Sequence, residues 1–222
     1  MRADLSHVDT WIFDLDNTLY PAECGLMGQI EGRMTRFVAE LTGLPLDEAY
    51  LLQKRYLREH GLTLRGLMVE HGVEPDTFHA LFHDISLECL SRDAELVAAI
   101  ARLPGRRLIF TNADAVHARR VIEHLELADL FDEVFHIDSF GFTPKPERAA
   151  FERMTAEHGI EPSRAAFFED SERNLAPAAE LGMTTVLVGS HALTSTASFV
   201  HHRTATLVPF LRTARLRDPK HA

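Results

Sequence analysis

Short runs of apolar residues recur along the chain, and most of them end in polar groups. "WIFDLD" (Trp11 to Asp16), "RLIFTN" (Arg107 to Asn112) and "AAFFED" (Ala165 to Asp170) share this form. "EVFHID" and "TTVLVG" have it too, and "SFVHH" is a sixth candidate. Continuous apolar runs of this length suit strands of a parallel sheet covered on both faces. Between the runs the period changes. Ala118, Val121, Ile122 and Leu125 recur at helical spacing after the second run. Phe151 and Met154 give an apolar face to a helix that Pro146 would open and that Gly159 and Pro162 would stop. Another helix is expected past "FFED", capped by Ser171 or Asn174, with Pro177 in its first turn. Strands alternating with helices predict right-handed crossovers and an α/β fold, a doubly wound, mostly parallel Rossmann-like sheet.

From about Cys24 to Leu90 the strand signal disappears. "GLMGQIEGRMTRFVAELTG", "PLDEAYLLQKRYLREHG" and "PDTFHALFHDISLECL" read as amphipathic helices, stopped by glycines and restarted near prolines. The pattern predicts a small all-helical domain, residues 21–91, inserted after the first strand into a core made of 1–20 and 92–222. Hinges are expected near Pro21 and Ser91. "GSHALTSTAS" reads as a surface loop, and the tail "RLRDPKHA" is expected to fray.

Composition narrows the function classes. A chain of 222 residues with 45% hydrophobic and 25% charged residues is typical of a globular protein. No apolar run approaches the roughly 18 residues of a membrane span. The opening "MRADLSHVDT" lacks the apolar stretch of a secretory signal, so a cytoplasmic location is expected. The two cysteines, Cys24 and Cys89, suggest neither a disulfide framework nor a zinc knuckle. A net charge of −10 argues against a nucleic acid polymer or an anionic membrane as partner. A small anionic substrate stays open, because a metal ion and one lysine can reverse the local sign.

The chemistry gathers at strand ends. In open α/β sheets, ligands bind beyond the carboxyl ends of the strands, where strand order reverses. Three predicted strands end in Asp14 and Asp16, in Thr111 and Asn112, and in Glu169 and Asp170, while Lys145 stands between Pro144 and Pro146. Asp14 and Asp16 share a face of an extended chain. Neighbouring carboxylates do not both ionise cheaply without a cation. With Asp170 added, the set is hard and oxygen-rich, which suits Mg²⁺. Taken alone, Asp16 reads equally well as a turn or cap residue, and Asn174 as a helix cap or a support for the Asp170 loop. His79 and His83, four apart, could face one another as a metal pair, but no third ligand stands out.

Four segments in order resemble the signatures of the haloacid dehalogenase-like superfamily of hydrolases: "DLDNT", "FTNA", Lys145 in "TPKP", and "FFEDSERN". The helical insert is similar to that superfamily's small cap domain. The resemblance implies a mechanism, residue by residue. Asp14 would be the nucleophile that becomes an aspartyl-phosphate, and Asp16 the acid for the leaving alkoxide and then the base for water. Thr111 and the Asn112 backbone would hold phosphate oxygens, and Lys145 would neutralise developing charge. Mg²⁺ would be bound by Asp14, the Asp16 carbonyl and Asp170, with Glu169 acting through a water. Dehalogenases resemble this pattern but lack an acid at the position of Asp16, since a halide leaves without a proton.

"DLDNTLYP", "REHGLTLRGLM" and "FFEDSERNL" look most like the pyrimidine 5′-nucleotidase-like branch. That likeness implies a mononucleotide such as UMP or CMP as substrate, with His60, Thr63 and Arg65 of the cap and Asn174 of the core as contacts. Tyr20 would stack on a base or pack beneath the cap. The alternatives are a phosphatase or mutase for a sugar phosphate or another small phosphorylated metabolite, and a phosphate-sensing protein without turnover. A monomer or a homodimer is expected.

Overall fold

The computed structural model describes residues 2–217. It divides into two compact units, Met1–Ala22 with Leu90–Ala222, and Glu23–Cys89. The first unit is built on six parallel strands in the order β3-β2-β1-β4-β5-β6. They are β1 (Thr10–Phe13), β2 (Arg106–Phe110), β3 (Glu133–Phe135), β4 (Ala165–Glu169), β5 (Thr184–Val188) and β6 (His202–Thr204). No helix among the described residues is long and apolar enough to cross a membrane.

Strand β1 sits in the middle, paired with β2 on one side and β4 on the other, and all four of its residues are buried. A continuous apolar run has this meaning in a sheet covered on both faces. Its rings bind the centre of the core: Phe13 stacks on Phe168 of β4 with centroids 4.6 Å apart, and Trp11 Nε1 donates to the Pro104 carbonyl over 2.7 Å. Gly105 makes the turn into β2 at φ +86°, so close that a Cβ would lie 2.1 Å from the Asp9 carbonyl oxygen. The strand order reverses at β1, which opens a crevice at the carboxyl ends of β1 and β4.

The helical unit holds α1 (Leu26–Thr42), α2 (Leu46–His60), α3 (Thr63–His71) and the short α4 (Pro75–His79), followed by a 3-10 turn at Ala80–Phe82. Gly43, Gly61 and Gly72 close the first three helices in the left-handed conformation. Helix α3 was not expected from its sequence, because Gly66 interrupts a segment of nine residues. The structure gives that glycine a reason: a Cβ there would lie 2.5 Å from the Tyr56 side chain, so its absence lets α3 press on α2. The expected helix from Pro75 onward ends early, and its second half is irregular. Thr35 and Gln53 satisfy one another inside the unit, Oγ1 to Oε1 at 2.6 Å.

The remaining helices flank the sheet segments in sequence: α5 (Ala94–Ala101), α6 (Ala115–His124), α7 (Arg148–Glu157), α8 (Glu172–Glu180) and α9 (Leu207–Thr213). Several local expectations need correction. Pro146 does not open α7; it lies two residues before it, joined to Lys145 by a cis peptide bond. Pro177 is well inside α8 rather than in its first turn, and Ser171 takes the cap position without a side-chain cap bond. The sixth strand is "HRT", not "SFVHH". "EVFHID" keeps only its first three residues as strand and then turns into a 3-10 segment at Ile137–Phe140. Part of the "GSHALTSTAS" loop winds into another, Ser190–Thr194. In the tail, Arg215 forms an isolated bridge with Asp4, and residues 218–222 lie outside the described residues.

The stacked pair at the centre sets a first prediction. Phe168→Ala removes a fully buried ring from the β1–β4 layer and should cost about 3–5 kcal/mol of stability. Urea unfolding followed by circular dichroism checks this, and a loss under about 1 kcal/mol would mean that the core repacks around the gap.

Candidate active site

Strand β1 ends at Phe13, but Asp14 N–H still donates to the Phe168 carbonyl over 2.8 Å, so β1 delivers Asp14 at the edge of the crevice. The Asp14 side chain is buried. Its Oδ1 accepts from Lys145 Nζ at 2.7 Å and its Oδ2 from Thr18 Oγ1 at 3.0 Å.

Lys145 is 1% exposed, an unusual place for an ammonium group. All three of its donors are used: on Asp14 Oδ1, on Glu169 Oε2 at 2.8 Å and on the Phe110 carbonyl at 2.7 Å. The Phe110 and Phe167 rings lie 5.1 and 5.4 Å from Nζ. Asn112 fixes the loop that carries the lysine. Its Nδ2 donates to the Lys145 carbonyl at 3.1 Å and its Oδ1 accepts the Lys145 N–H at 2.9 Å. Thr111, also buried, accepts the Ala113 N–H on its hydroxyl at 3.0 Å.

Strand β4 supplies the other carboxylates. Glu169 is buried, with Oε1 taking the Ser171 N–H at 3.0 Å. Asp170 is half-buried, and its carbonyl accepts from His191 Nε2 at 2.7 Å. Asn17 stands at φ +62°, a region that asparagine enters more readily than most residues. Asn174, buried in α8, has an Oδ1 without a hydrogen-bond partner among the described residues.

The electrostatics show a deficit of positive charge. Burial, with Glu169 close by, pushes Asp14 up to about 7 against the pull of Lys145. Burial likewise pushes Glu169 up to about 7, with Lys145 opposing and Asp170 adding. Asp170 is raised by burial and by Asp14. Oxygens of Asp14, Glu169 and Asp170 lie within 4.8 Å of one another. One lysine does not balance three such carboxylates, and a hard oxygen donor set of this size fits Mg²⁺.

Asp16 belongs to a different local network. Its Oδ1 accepts from Tyr20 Oη at 2.5 Å and from His117 Nε2 at 2.9 Å. Burial alone would raise its pKa, but the charge and hydrogen bond of His117 outweigh that and hold it below the usual carboxylate range. His117, from the first turn of α6, is raised in turn: burial works against its charged form, and Asp16 more than compensates. His117 is the residue that the sequence patterns did not single out. The signal available was its place five residues after Asn112, where the first turn of a helix points back over the strand ends. The Tyr20 hydroxyl holds Asp16, a role that the sequence reading did not give it.

Asp14, Thr111, Asn112, Lys145, Glu169, Asp170 and Asn174 all belong to the sheet-bearing unit, as does Asp16. His60, Thr63 and Arg65 belong to the helical unit, at the α2–α3 corner. There His60 Nε2 lies 3.7 Å from Glu70 Oε1, and Thr63 is buried. The groupings that could hold a metal ion among the described residues are Asp14–Glu169–Asp170 and the more exposed Glu59–His60–Glu70; neither includes His79 or His83.

Residues 8–182 match the haloacid dehalogenase-like hydrolases, and the chain belongs to that family. Among curated relatives, phosphate metabolism protein 8 of Saccharomyces cerevisiae is 30% identical over 193 residues, 80% of this chain and 60% of that protein. Enolase-phosphatase E1 of Frankia alni is 41% identical over 63 residues, 28% of this chain and 26% of that protein. The chain therefore matches 60% of the length of the first relative and 26% of the second. A HAD phosphatase from Thermococcus onnurineus shares the fold at 19% identity and a TM-score of 0.64, with 97% of this chain and 100% of that one covered. The L-2-haloacid dehalogenase of Xanthobacter autotrophicus does so at 14% identity and a TM-score of 0.57, with 92% and 97% covered.

The raised carboxylates set a prediction with a definite sign. Groups at about 7 in the folded protein titrate near about 4 when unfolded. The folded form then holds more protons, so stability falls as pH rises from about 5 to about 8. A divalent cation that binds these carboxylates offsets the loss. In chelator the melting temperature should fall over that interval, and Mg²⁺ should raise it more at pH 8 than at pH 5. Calorimetry at both pH values checks this; a melting point indifferent to Mg²⁺ at pH 8 counts against a cation site.

Proposed function

We propose that this protein is a Mg²⁺-dependent phosphomonoesterase that works through an aspartyl-phosphate on Asp14. The observation that carries the reading is the cluster around Lys145: a nucleophile-sized carboxylate, an ammonium group with every donor engaged, and two further carboxylates at the end of β4. Asp14, Asp170 and the Asp16 carbonyl would hold Mg²⁺, with Glu169 acting through a water, and the bound ion would supply positive charge to the phosphoryl oxygens.

The chain's own groups then divide the work. An Asp14 oxygen attacks phosphorus, the bond from phosphorus to the ester oxygen breaks, and Asp16 gives that oxygen a proton. In the second half, Asp16 takes a proton from the attacking water, the bond from phosphorus to Asp14 breaks, and phosphate leaves. Lys145 neutralises Asp14 and the transferring group, while the Thr111 hydroxyl and the Asn112 backbone N–H hold phosphate oxygens. Thr18 orients Asp14 from its other oxygen. The carboxylic acid at Asp16 also weighs against dehalogenation, because a halide needs no proton to depart.

The helical unit, Glu23–Cys89, then serves as a cap that reads the rest of the substrate, with His60, Thr63 and Arg65 as contacts. We read the substrate as a pyrimidine nucleoside 5′-monophosphate, on the strength of "DLDNTLYP" and "FFEDSERNL", and the setting as cytoplasmic.

Phosphate release from UMP, CMP, dUMP, AMP, GMP, phosphoglycolate and glucose phosphates, in Mg²⁺ and in chelator, tests the reading. Release from UMP and CMP that stops with chelator is expected. Release only from sugar phosphates would keep the chemistry and replace the substrate; none from any ester would end the phosphatase reading.

Asp14→Asn should lower turnover by at least about 10⁴-fold, because it removes the nucleophile itself. Its melting temperature should match or exceed that of the wild type, since one of three crowded carboxylates becomes neutral. Near-normal turnover would mean that another group attacks phosphorus.

A further inference from the structure

The hydrogen bonds of Asp16 are lopsided. Tyr20 Oη and His117 Nε2 both donate to Oδ1, at 2.5 and 2.9 Å. No described residue donates to Oδ2, and the side chain keeps 17% of its surface exposed. Oδ1 is an acceptor whether Asp16 is ionised or carries a proton on Oδ2, so the hydrogen of this contact resides on His117 Nε2.

His117 is well fixed for such a role. It is 4% exposed, and its backbone N–H is held at 3.0 Å by Asp114, the cap of α6. Two donors from residues 4 and 101 positions away therefore meet on one oxygen of a short side chain. Such convergence fixes the plane of the carboxyl group and selects which oxygen faces outward.

We propose that His117, assisted by Tyr20, is a positioning residue for Asp16: it pins Oδ1 and presents Oδ2 as the oxygen that exchanges protons with the substrate. The proposal rests on the phosphomonoesterase reading given above. As the ester bond breaks, the proton on Oδ2 passes to the departing oxygen; when water attacks the phosphoenzyme, Oδ2 takes a proton back. His117 keeps its own hydrogen on Nε2 throughout and touches neither phosphorus nor the leaving group.

This role has a signature that packing alone lacks. Asp14 and Lys145 act on phosphorus whatever the leaving group. Proton delivery matters only when the leaving oxygen is basic. A misplaced Asp16 therefore harms phenyl phosphate far more than p-nitrophenyl phosphate, whose anion departs without help. A histidine that merely filled space would depress both alike.

The test compares kcat/KM on these two esters, in Mg²⁺, for the wild type, His117→Ala, His117→Gln and Tyr20→Phe, each shown to be folded by its melting curve. For His117→Ala, the loss on phenyl phosphate should exceed that on p-nitrophenyl phosphate by about tenfold or more, within the roughly 10²–10⁴-fold that a placed general acid contributes. Glutamine, whose Nε2 can reach the same place, should recover most of the difference. Tyr20→Phe should shift the ratio in the same sense by a smaller factor. If His117→Ala does not fold, the glutamine and phenylalanine variants decide the matter: a ratio equal to wild type in Tyr20→Phe overturns the proposal. Equal losses on both esters in His117→Ala, or none, overturn it as well. A wild-type protein that hydrolyses neither ester removes the phosphomonoesterase reading itself, and this role with it.

Discussion

An ammonium group sealed among two carboxylates and a carbonyl is the constraint on which the rest of this site depends. Lys145 has no water to fall back on, so each of its three protons must meet an acceptor. That demand ties together three strands that are remote in sequence: β1 through Asp14, β2 through the Phe110 carbonyl and β4 through Glu169. Removing the ammonium itself would cost about 3–5 kcal/mol, because buried carboxylates would be left uncompensated. The two-point grip of Asn112 on the lysine backbone follows from the same demand, since a donor set this exact in its needs cannot hang from a loose loop.

Topology explains why these groups meet. With β1 between β2 and β4, the sheet brings three carboxyl ends side by side, and the reversal of strand order leaves the space above them open. The price of assembling so much negative charge is visible in the raised Asp14 and Glu169. Asp16 escapes this crowding. It turns to Tyr20 and His117, and its carboxyl group stays low where its neighbours rise. Two carboxylates only two residues apart are thereby placed in opposite electrical environments, the separation that the proposed division of labour between Asp14 and Asp16 requires.

Much of this was legible in the sequence because burial in a parallel sheet leaves a plain mark. Runs such as "WIFDLD" and "AAFFED" announce strands covered on both faces, and their polar ends announce the chemistry. Helix α3 was not legible, since Gly66 looks like a breaker until Tyr56 is seen against it. Pro146 and Pro177 misled for a related reason: a proline is compatible with several backbone settings, and only the surrounding packing chooses. His117 was hidden more deeply. Its meaning depends on Asp16, 101 residues earlier, and no local pattern encodes a partner at that distance.

The burial of Lys145 also bears on how the protein can be handled. The chain contains only three lysines, against twenty arginines. Lys145 is sealed from solvent and every proton of its ammonium is engaged, whereas Lys54, paired with Glu31 in the helical unit, stays partly exposed; Lys220 lies outside the described residues. Reagents that acylate amines need a neutral, accessible nitrogen, and Lys145 offers neither. Fluorophores or surface linkers coupled through lysine would thus leave Lys145 itself unmodified, and the scarcity of lysine keeps the number of attachment points small.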